Sequence, residues 1–182
     1  MKPLPSSQNY ATWLAIVRVL TGVAWLSHGI PKFTKSDEFM PPSGFMMNYI
    51  QHGMQVSSGP YRAFLEYTVY PHLDVFANLV RIGEVAVGIA LVLGVLTRLG
   101  GLGGVLLTLN YMLARGTILS SSAVQSLDFC LLVLSLTSLV LPTGRVWGID
   151  ALLARPKNVP ATVRAEFVQE PPLDKPTAPP NP

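Results

Sequence analysis

The chain has 182 residues, of which 49% are hydrophobic and only 13% are charged, and its formal net charge is +3. With a mean hydropathy of +0.41, it has too little polar surface to cover a soluble globule, which excludes that class and indicates an integral membrane protein. The small positive charge comes from basic residues that flank apolar segments, so no nucleic-acid partner is predicted.

Four apolar segments follow one another along the chain, each near the roughly 20 residues with which a helix crosses a bilayer. The first segment is too long for the apolar part of a signal peptide and contains Arg18, so we expect it to be retained. The predicted fold is an all-α integral membrane protein, a four-transmembrane-helix bundle within a domain of residues 1–150. The predicted helices span about residues 10–30, 75–96, 99–119 and 124–141.

Two further segments differ from these helices in composition. Residues 32–73 form a long loop between the first and second helices, and its many aromatic and apolar residues predict interfacial helices. We expect these to cover one face of the bundle as a lid. Residues 151–182 are rich in proline and poor in large apolar residues, which predicts a disordered tail.

The orientation follows from the basic residues beside the spans. An even number of spans places both termini on one side of the bilayer, and Lys and Arg favour the cytoplasmic side. Five basic residues flank the terminal side and four flank the other, which predicts cytoplasmic termini. They are Lys2, Arg98, Arg145, Arg155 and Lys157 on the terminal side, and Lys32, Lys35, Arg62 and Arg115 opposite.

Ionisable side chains inside or at the ends of the predicted spans are the strongest functional signal. A central Arg, Lys or Asp costs roughly 2.5–3.5 kcal/mol to insert, so each needs a partner or a role. Arg81 and Glu84 are three residues apart and share one helix face. Depth along the helices predicts two ion pairs, Arg18 with Glu84 and Arg81 with Asp128. The full set is Arg18, His28, Arg81, Glu84, Arg115 and Asp128.

A polar stripe runs along the third predicted helix. Gly104, Thr108, Tyr111 and Arg115 recur at helical spacing in an otherwise apolar segment, which predicts a face turned toward the bundle. Arg115 lies near the helix end, where it could equally extend to the membrane surface as a solvated side chain.

Proton transfer is the chemistry that the carboxylates and the histidine can supply. Glu84, near mid-membrane beside an arginine, is the leading candidate, and His28 and Asp128 are further candidate catalytic residues. A structural alternative stays open, because buried ion pairs can lock the register of packed helices without taking part in chemistry.

Metal and haem chemistry is not predicted. Three histidines and one cysteine, without a haem-binding motif, do not supply the ligands of an iron–sulfur cluster or a structural zinc. The single cysteine, Cys130, is predicted to be a small buried residue of the fourth span.

Two stretches carry a resemblance to a known family. Residues 27–33 read Ser-His-Gly-Ile-Pro-Lys-Phe, and residues 81–98 contain Glu84, paired glycines and a terminal Thr-Arg. They resemble the end of the first helix and the second-helix signature of the DoxX/DoxD-like membrane family. The likeness covers about residues 12–142. The long first loop resembles the DoxD type, the small membrane subunit of thiosulfate:quinone oxidoreductase.

The resemblance implies a quinone-linked oxidoreductase subunit in the cytoplasmic (inner) membrane of a bacterium or archaeon. Such a subunit would pass electrons from thiosulfate to quinone, together with a second small subunit or within a larger membrane complex. Quinone is then the bound acceptor, Glu84, His28 and Asp128 supply protons, and a surplus of arginine charge suits an anion at the outer mouth. The residues expected to bind substrate or quinone are Arg81, Arg18, Arg115, Tyr111, Trp25 and Lys32.

Two other function classes remain open. A non-catalytic accessory or assembly subunit would pack a glycine-rich helix face against a larger membrane complex. A transporter or channel for a small anion would need a continuous polar path, whereas the inner halves of the second and fourth spans are apolar. Turnover lost with assembly retained, in Glu84→Gln or His28→Asn, would favour the enzyme. The glycines concerned are Gly100, Gly101, Gly103 and Gly104.

Overall fold

The computed structural model describes residues 7–118 and 123–153, and within these ranges the chain is helical and has no β-strand. The all-helical prediction is confirmed. The α-helices, in chain order, are α1 (Ser7–Gly29), α2 (Pro31–Thr34), α3 (Ser36–Phe39), α4 (Phe45–Val56), α5 (Gly59–Phe64), α6 (Leu73–Leu93), α7 (Thr97–Ala114), α8 (Leu127–Val140) and α9 (Ile149–Leu153). A π-helical turn (Leu65–Val69) and a 3-10 turn (Tyr70–His72) join α5 to α6, and further 3-10 turns cover Ala123–Gln125 and Thr143–Arg145.

Two stretches of the described helices are long and apolar enough to cross a membrane. They are Tyr10–Thr34, which contains most of α1, and Gly59–Leu93, which ends with α6. Helix α8 is also apolar but has 14 residues, and α7 has 18. By length and composition, the first two stretches fit the membrane class predicted from the sequence.

Several boundaries differ from the predicted ones. Glycines end two of the helices early, and the short helix α9 overlaps the start of the predicted tail. Gly94 adopts a φ of 65°, a left-handed conformation that ends α6 at Leu93 rather than at residue 96. Helix α7 ends at Ala114, and Gly116, also with a φ of 65°, turns the chain beyond it. The predicted tail begins inside α9, and its residues 154–182 lie outside the described part of the chain.

Small residues set the closest approaches between the long helices. A Cβ atom on Gly22 of α1 would lie 2.7 Å from a backbone nitrogen of α6, and one on Gly101 of α7 would lie 2.5 Å from a backbone nitrogen of α8. Gly100 and Gly104 are also buried. Most of the glycine-rich face expected to meet a larger complex is therefore used by the chain's own helices.

The predicted lid, residues 32–73, consists of short helices. The Tyr49 hydroxyl donates to the carbonyl oxygen of Tyr111 at 2.9 Å, and the Tyr61 hydroxyl donates to that of Asn110 at 3.1 Å, which ties the lid to α7. These contacts hold the lid over the end of the bundle where α6 begins, which we call the lid end. Apolar side chains of the lid and of α6 share one core, formed by Phe39, Met46, Ile50, Leu65, Val69, Leu73, Ala77 and Val80.

Arg18 lies at the other end of the bundle, where α6 ends. Its side chain is completely buried, and its guanidinium donates to the carbonyl oxygens of Thr143 and Trp147, each at 3.1 Å. The predicted ion pair between Arg18 and Glu84 is wrong, because Arg18 is directed at backbone carbonyls of the segment that follows α8. Its role in the structure is to hold that segment against α1.

Asp150 fastens the same segment to the turn between α6 and α7. Its carboxylate accepts hydrogen bonds from the backbone nitrogens of Leu96 at 2.8 Å and Thr97 at 3.0 Å, and from the Thr97 hydroxyl. Burial raises the pKa of Asp150, but these hydrogen bonds outweigh burial and hold the pKa below its ordinary value. The ionised carboxylate therefore caps the N-terminus of α7.

Candidate functional site

A cavity of about 250 Å³, which we call the polar cavity, lies between the lid and the bundle at the lid end. Residues of α1, the lid, α6, α7 and α8 form its walls, so it exists only when all of these elements pack together. Its polar lining consists of His28, Lys32, Tyr49, Glu84, Tyr111, Arg115 and Asp128, and its apolar lining of Trp25, Phe39, Phe45, Met46, Val80, Leu127 and Leu131. The structure thus gathers every predicted site residue except Arg18 and Arg81.

Glu84 is the most buried ionisable group of this cavity, with 1% of its surface exposed. Its Oε1 atom accepts hydrogen bonds from Lys32 Nζ at 2.5 Å and from the Tyr111 hydroxyl at 2.6 Å. The Oε2 atom is buried and has no hydrogen-bond partner among the described residues. An unpaired carboxyl oxygen is costly to bury, so a ligand or a proton at Oε2 would relieve a real deficit.

Lys32 reaches Glu84 because α2 continues helically from α1 after a single residue, Ile30. Helix α6 packs so closely there that a Cβ atom on Gly29 would lie 3.0 Å from the Glu84 Cβ. Its ammonium lies 5.1 Å from the centre of the Phe39 ring and 5.5 Å from that of Tyr111. Two aromatic faces and one carboxylate therefore surround the charge. Only 20% of the Lys32 side chain is exposed, so the ion pair with Glu84 is largely shielded from water.

Asp128 and Arg115 form the second ion pair of the cavity. Arg115 Nη1 lies 2.9 Å from Asp128 Oδ2, and the Asp128 side chain is 9% exposed whereas that of Arg115 is 46% exposed. Asp128 stands in the first turn of α8, where the helix dipole favours a carboxylate, and Ser126 caps the same turn. The predicted pairing of Asp128 with Arg81 is therefore wrong.

Tyr49 places the lid beside this second ion pair. The Arg115 guanidinium lies 5.7 Å from the centre of the Tyr49 ring, and the ring packs edge-on against Tyr111. Burial raises the pKa of Tyr49 to about 12, so its hydroxyl stays protonated and remains a hydrogen-bond donor to α7.

Two aromatic residues of α1 occupy different depths of the cavity. Trp25 is 1% exposed and donates from Nε1 to Ser135 Oγ at 3.2 Å, so its ring forms a fixed wall. His28 is one turn further along α1 and is exposed at the rim. His28 is therefore accessible from outside the cavity, whereas Trp25 shapes its interior.

Arg81 does not line the polar cavity. Its Nη2 atom donates to Asn78 Oδ1 at 2.5 Å, and its guanidinium lies 4.6 Å from the centre of the Phe33 ring. Although Arg81 is close to Glu84 in sequence, it is held by a neighbour on its own helix and by an aromatic ring of α2. Among the described residues, no hydrogen bond or ion pair joins Arg81 to the other site residues.

The polar cavity offers no metal ligand set within the part of the chain that the structure describes, since no three His, Cys, Asp or Glu side chains cluster there. Cys130 was predicted to be buried, and this is wrong, because its side chain is exposed on α8.

Residues 13–167 match the family described as TQO small subunit DoxD, in which TQO denotes thiosulfate:quinone oxidoreductase. The chain belongs to the DoxD family. The matched range includes every lining residue of the polar cavity, and the family's name describes the small subunit of a complex. No solved structure matches the chain.

In this DoxD protein the charges of the polar cavity balance when its histidine is neutral. Two cations, Lys32 and Arg115, face two carboxylates, Glu84 and Asp128. The surplus positive charge expected at the outer mouth is not found among the described lining residues, because Arg18 and Arg81 do not line the cavity. Balanced charge in a wall that combines polar and apolar residues suits an uncharged ligand that has both polar and apolar parts.

Sequence reasoning did not assign Tyr49, Phe39 or Met46 to the DoxD site. All three belong to the lid, whose composition predicts only interfacial residues that cover the bundle. The available signal was their density in a long loop, which predicts burial but not the helix against which each residue packs. Their position depends on how the lid folds back over α6 and α7.

Proposed function

We propose that the protein binds quinone in the polar cavity and is the quinone-reducing membrane subunit of a thiosulfate:quinone oxidoreductase. The observation that carries the proposal is the hydrogen bonding of Glu84. One carboxyl oxygen accepts from Lys32 and Tyr111, and the other is buried without a partner beside a cavity that can hold a ligand. The DoxD family membership supports the same chemistry.

Reduction of a quinone to a quinol takes up two electrons and two protons, so the protein must deliver protons to the carbonyl oxygens of the bound head group. A proton bound to Glu84 Oε2 could be donated to the quinone, because this oxygen has no hydrogen-bond partner among the described residues. The Oε1 atom would still accept hydrogen bonds from Tyr111 and Lys32. We assign the route for protons from solvent to His28 at the rim, and proton delivery to the second carbonyl to Asp128, which also lines the cavity.

Thiosulfate oxidation belongs elsewhere in this proposal. Joining two thiosulfate ions into tetrathionate releases the two electrons that the quinone accepts. A dianion would have to enter a cavity whose cations already pair with carboxylates, which is costly in a poorly solvated site. We therefore assign thiosulfate oxidation to a partner subunit of the complex, and quinone binding to this chain.

The proposed topology has four spans, α1, α6, α7 and α8, in the cytoplasmic (inner) membrane of a bacterium or archaeon, with cytoplasmic termini. The basic flanks favour this orientation. The lid and the polar cavity lie at the end of the bundle opposite Arg18, Gly94 and α9. With cytoplasmic termini, the cavity would open on the outer side of the membrane.

The accessory-subunit alternative has lost its main support. It relied on a glycine-rich face of α7 that would be free for a larger complex, yet Gly100, Gly101 and Gly104 are buried against the chain's own helices. A small subunit that only fills space would also have no need of a buried carboxyl oxygen without a partner.

The test is thiosulfate-dependent quinone reduction by the complex purified with Glu84→Gln. We expect turnover to fall by at least about 100-fold, the usual contribution of a general acid or base, with the partner subunit still co-purifying. Glu38→Gln is the matched control, because Glu38 is a lid carboxylate whose side chain is 71% exposed. Full activity in Glu84→Gln would overturn the assignment of Glu84, and loss of the complex in that variant would point to a structural role.

A further inference from the structure

A second cavity, of about 370 Å³, lies between the lid, α6 and α7 beside the polar cavity. Met46 and Val80 line both cavities, so the two share a wall. The lining of the second cavity is apolar except for Asn110, whose side-chain oxygen accepts a hydrogen bond from the Tyr61 hydroxyl at 2.8 Å. We call it the apolar slot, because it presents hydrocarbon almost throughout.

Glycine keeps the apolar slot open on the α6 side. A Cβ atom on Gly83 would lie 3.6 Å from the nearest atom of Leu107, which is an ordinary contact. This differs from Gly22 and Gly101, where a Cβ atom would collide with the backbone of another helix. Close helix packing therefore does not require glycine at position 83, and a side chain larger than alanine at this position would extend into the slot.

The slot also has a side open to lipid. Leu79 of α6 and Leu106 of α7 line it, and they are 64% and 58% exposed. Both residues lie on helix faces that no other described helix covers. A long apolar chain held in the slot could therefore continue into the hydrocarbon of the membrane without crossing a polar surface.

We infer that the apolar slot binds the isoprenoid tail of the quinone whose head group occupies the polar cavity. The inference rests on the proposed function. A charge-balanced cavity that shares a wall with an apolar slot matches a molecule with a polar head and an apolar tail. The acyl chain of a membrane lipid would fit the slot alone, but it would not need a neighbouring cavity with a buried carboxyl group.

The experiment compares two quinones on the complex purified with its partner subunit. One is 2,3-dimethoxy-5-methyl-1,4-benzoquinone, which has no tail, and the other carries a decyl chain at the remaining ring position. Binding is measured by quenching of tryptophan fluorescence, since Trp25 forms a wall of the polar cavity. KM is measured with thiosulfate as the electron donor.

The variant that fills the slot is Gly83→Leu, and Ile82→Phe is its control. Ile82 is the adjacent residue, is 56% exposed and lines neither cavity, so the control adds bulk on the lipid side. Gly83→Leu should raise Kd and KM for the decyl quinone by about tenfold, the effect of displacing roughly two buried methylenes. Both constants for the tailless quinone should stay unchanged. Gly83→Ala, whose Cβ makes only an ordinary contact, should raise Kd and KM for the decyl quinone by a smaller factor. This variant keeps the inference testable if Gly83→Leu does not fold.

Each other result has a distinct meaning. An equal loss for both quinones, or no loss for either, would overturn the tail slot and leave the proposed function standing. Unchanged decyl quinone binding with reduced retention of co-purified phospholipid would mark the slot as an acyl-chain groove and also overturn the inference. Failure of the native complex to bind either quinone would overturn the proposed function itself.

Discussion

Replacing Lys32 by methionine should destabilise the protein more than the same replacement of an exposed lysine. The change keeps a long side chain between the rings of Phe39 and Tyr111 but removes the charge that lies 2.5 Å from Glu84. The Glu84 side chain is 2% exposed, so water cannot replace the lost cation. The carboxylate would then be held only by the Tyr111 hydroxyl.

The magnitude follows from burial. Removing one partner of a buried ion pair costs about 3–5 kcal/mol, because the other charge stays in a poorly solvated site. Lys32 is 20% exposed and Tyr111 still donates, so we take the lower end, about 3 kcal/mol. For a chain of this size, each kcal/mol lowers Tm by about 2–4 °C, which predicts a fall of roughly 6–12 °C.

The assay is a double-mutant cycle of Tm values measured in one detergent at one protein concentration. Lys32→Met with Glu84→Gln removes both charges and should recover most of the loss, because no unpaired carboxylate remains. Lys35 and Glu38 supply the matched control cycle, since their side chains are 64% and 71% exposed. An exposed pair is worth about 0–1 kcal/mol, so that cycle should show little change.

A fall in Tm for Lys32→Met no larger than that for Lys35→Met would contradict this prediction. A further fall in Tm on adding Glu84→Gln would contradict it too, because the carboxylate would then be stable without its cation. In either case the short contact between Lys32 and Glu84 would not be what makes burial of Glu84 tolerable.

Two further predictions concern the end of the bundle opposite the lid. Because the pKa of Asp150 is lowered in the folded protein, its contribution to stability is present above the unfolded pKa of about 3.9 and is lost as the pH falls through the folded value. Between about pH 5 and pH 3 the Tm of the native protein should therefore fall by more than the Tm of the Asp150→Asn variant. An equal fall in Tm for the two proteins would contradict the role of ionised Asp150 as a cap of α7. Arg18→Met should lower stability by about 1.5–3 kcal/mol for each charged hydrogen bond lost and leave quinone binding by the folded protein unchanged. An unchanged Tm with weakened quinone binding would instead return Arg18 to the site.

Much of the polar cavity was predictable from helix geometry and the cost of burying charge. Glu84, Tyr111, Arg115 and Asp128 were identified because polar groups in apolar helices must face protein, and helical spacing shows which of them share a face. The Ser-His-Gly-Ile-Pro-Lys-Phe stretch pointed to His28 and Lys32 at the end of α1. The all-helical class and the family followed from composition and from these motifs.

The partners of those groups could not be read from the chain. Periodicity places a residue on a helix face, but it does not specify which other helix lies opposite at the same depth. Lys32 meets Glu84 because α6 packs beside the junction of α1 and α2. Arg18 binds carbonyl oxygens more than 120 residues away because the segment after α8 packs against α1. Sequence patterning thus identified which groups must be satisfied inside the protein. Long-range packing decided what satisfies them, because that depends on contacts between segments whose separation along the chain carries no local signal.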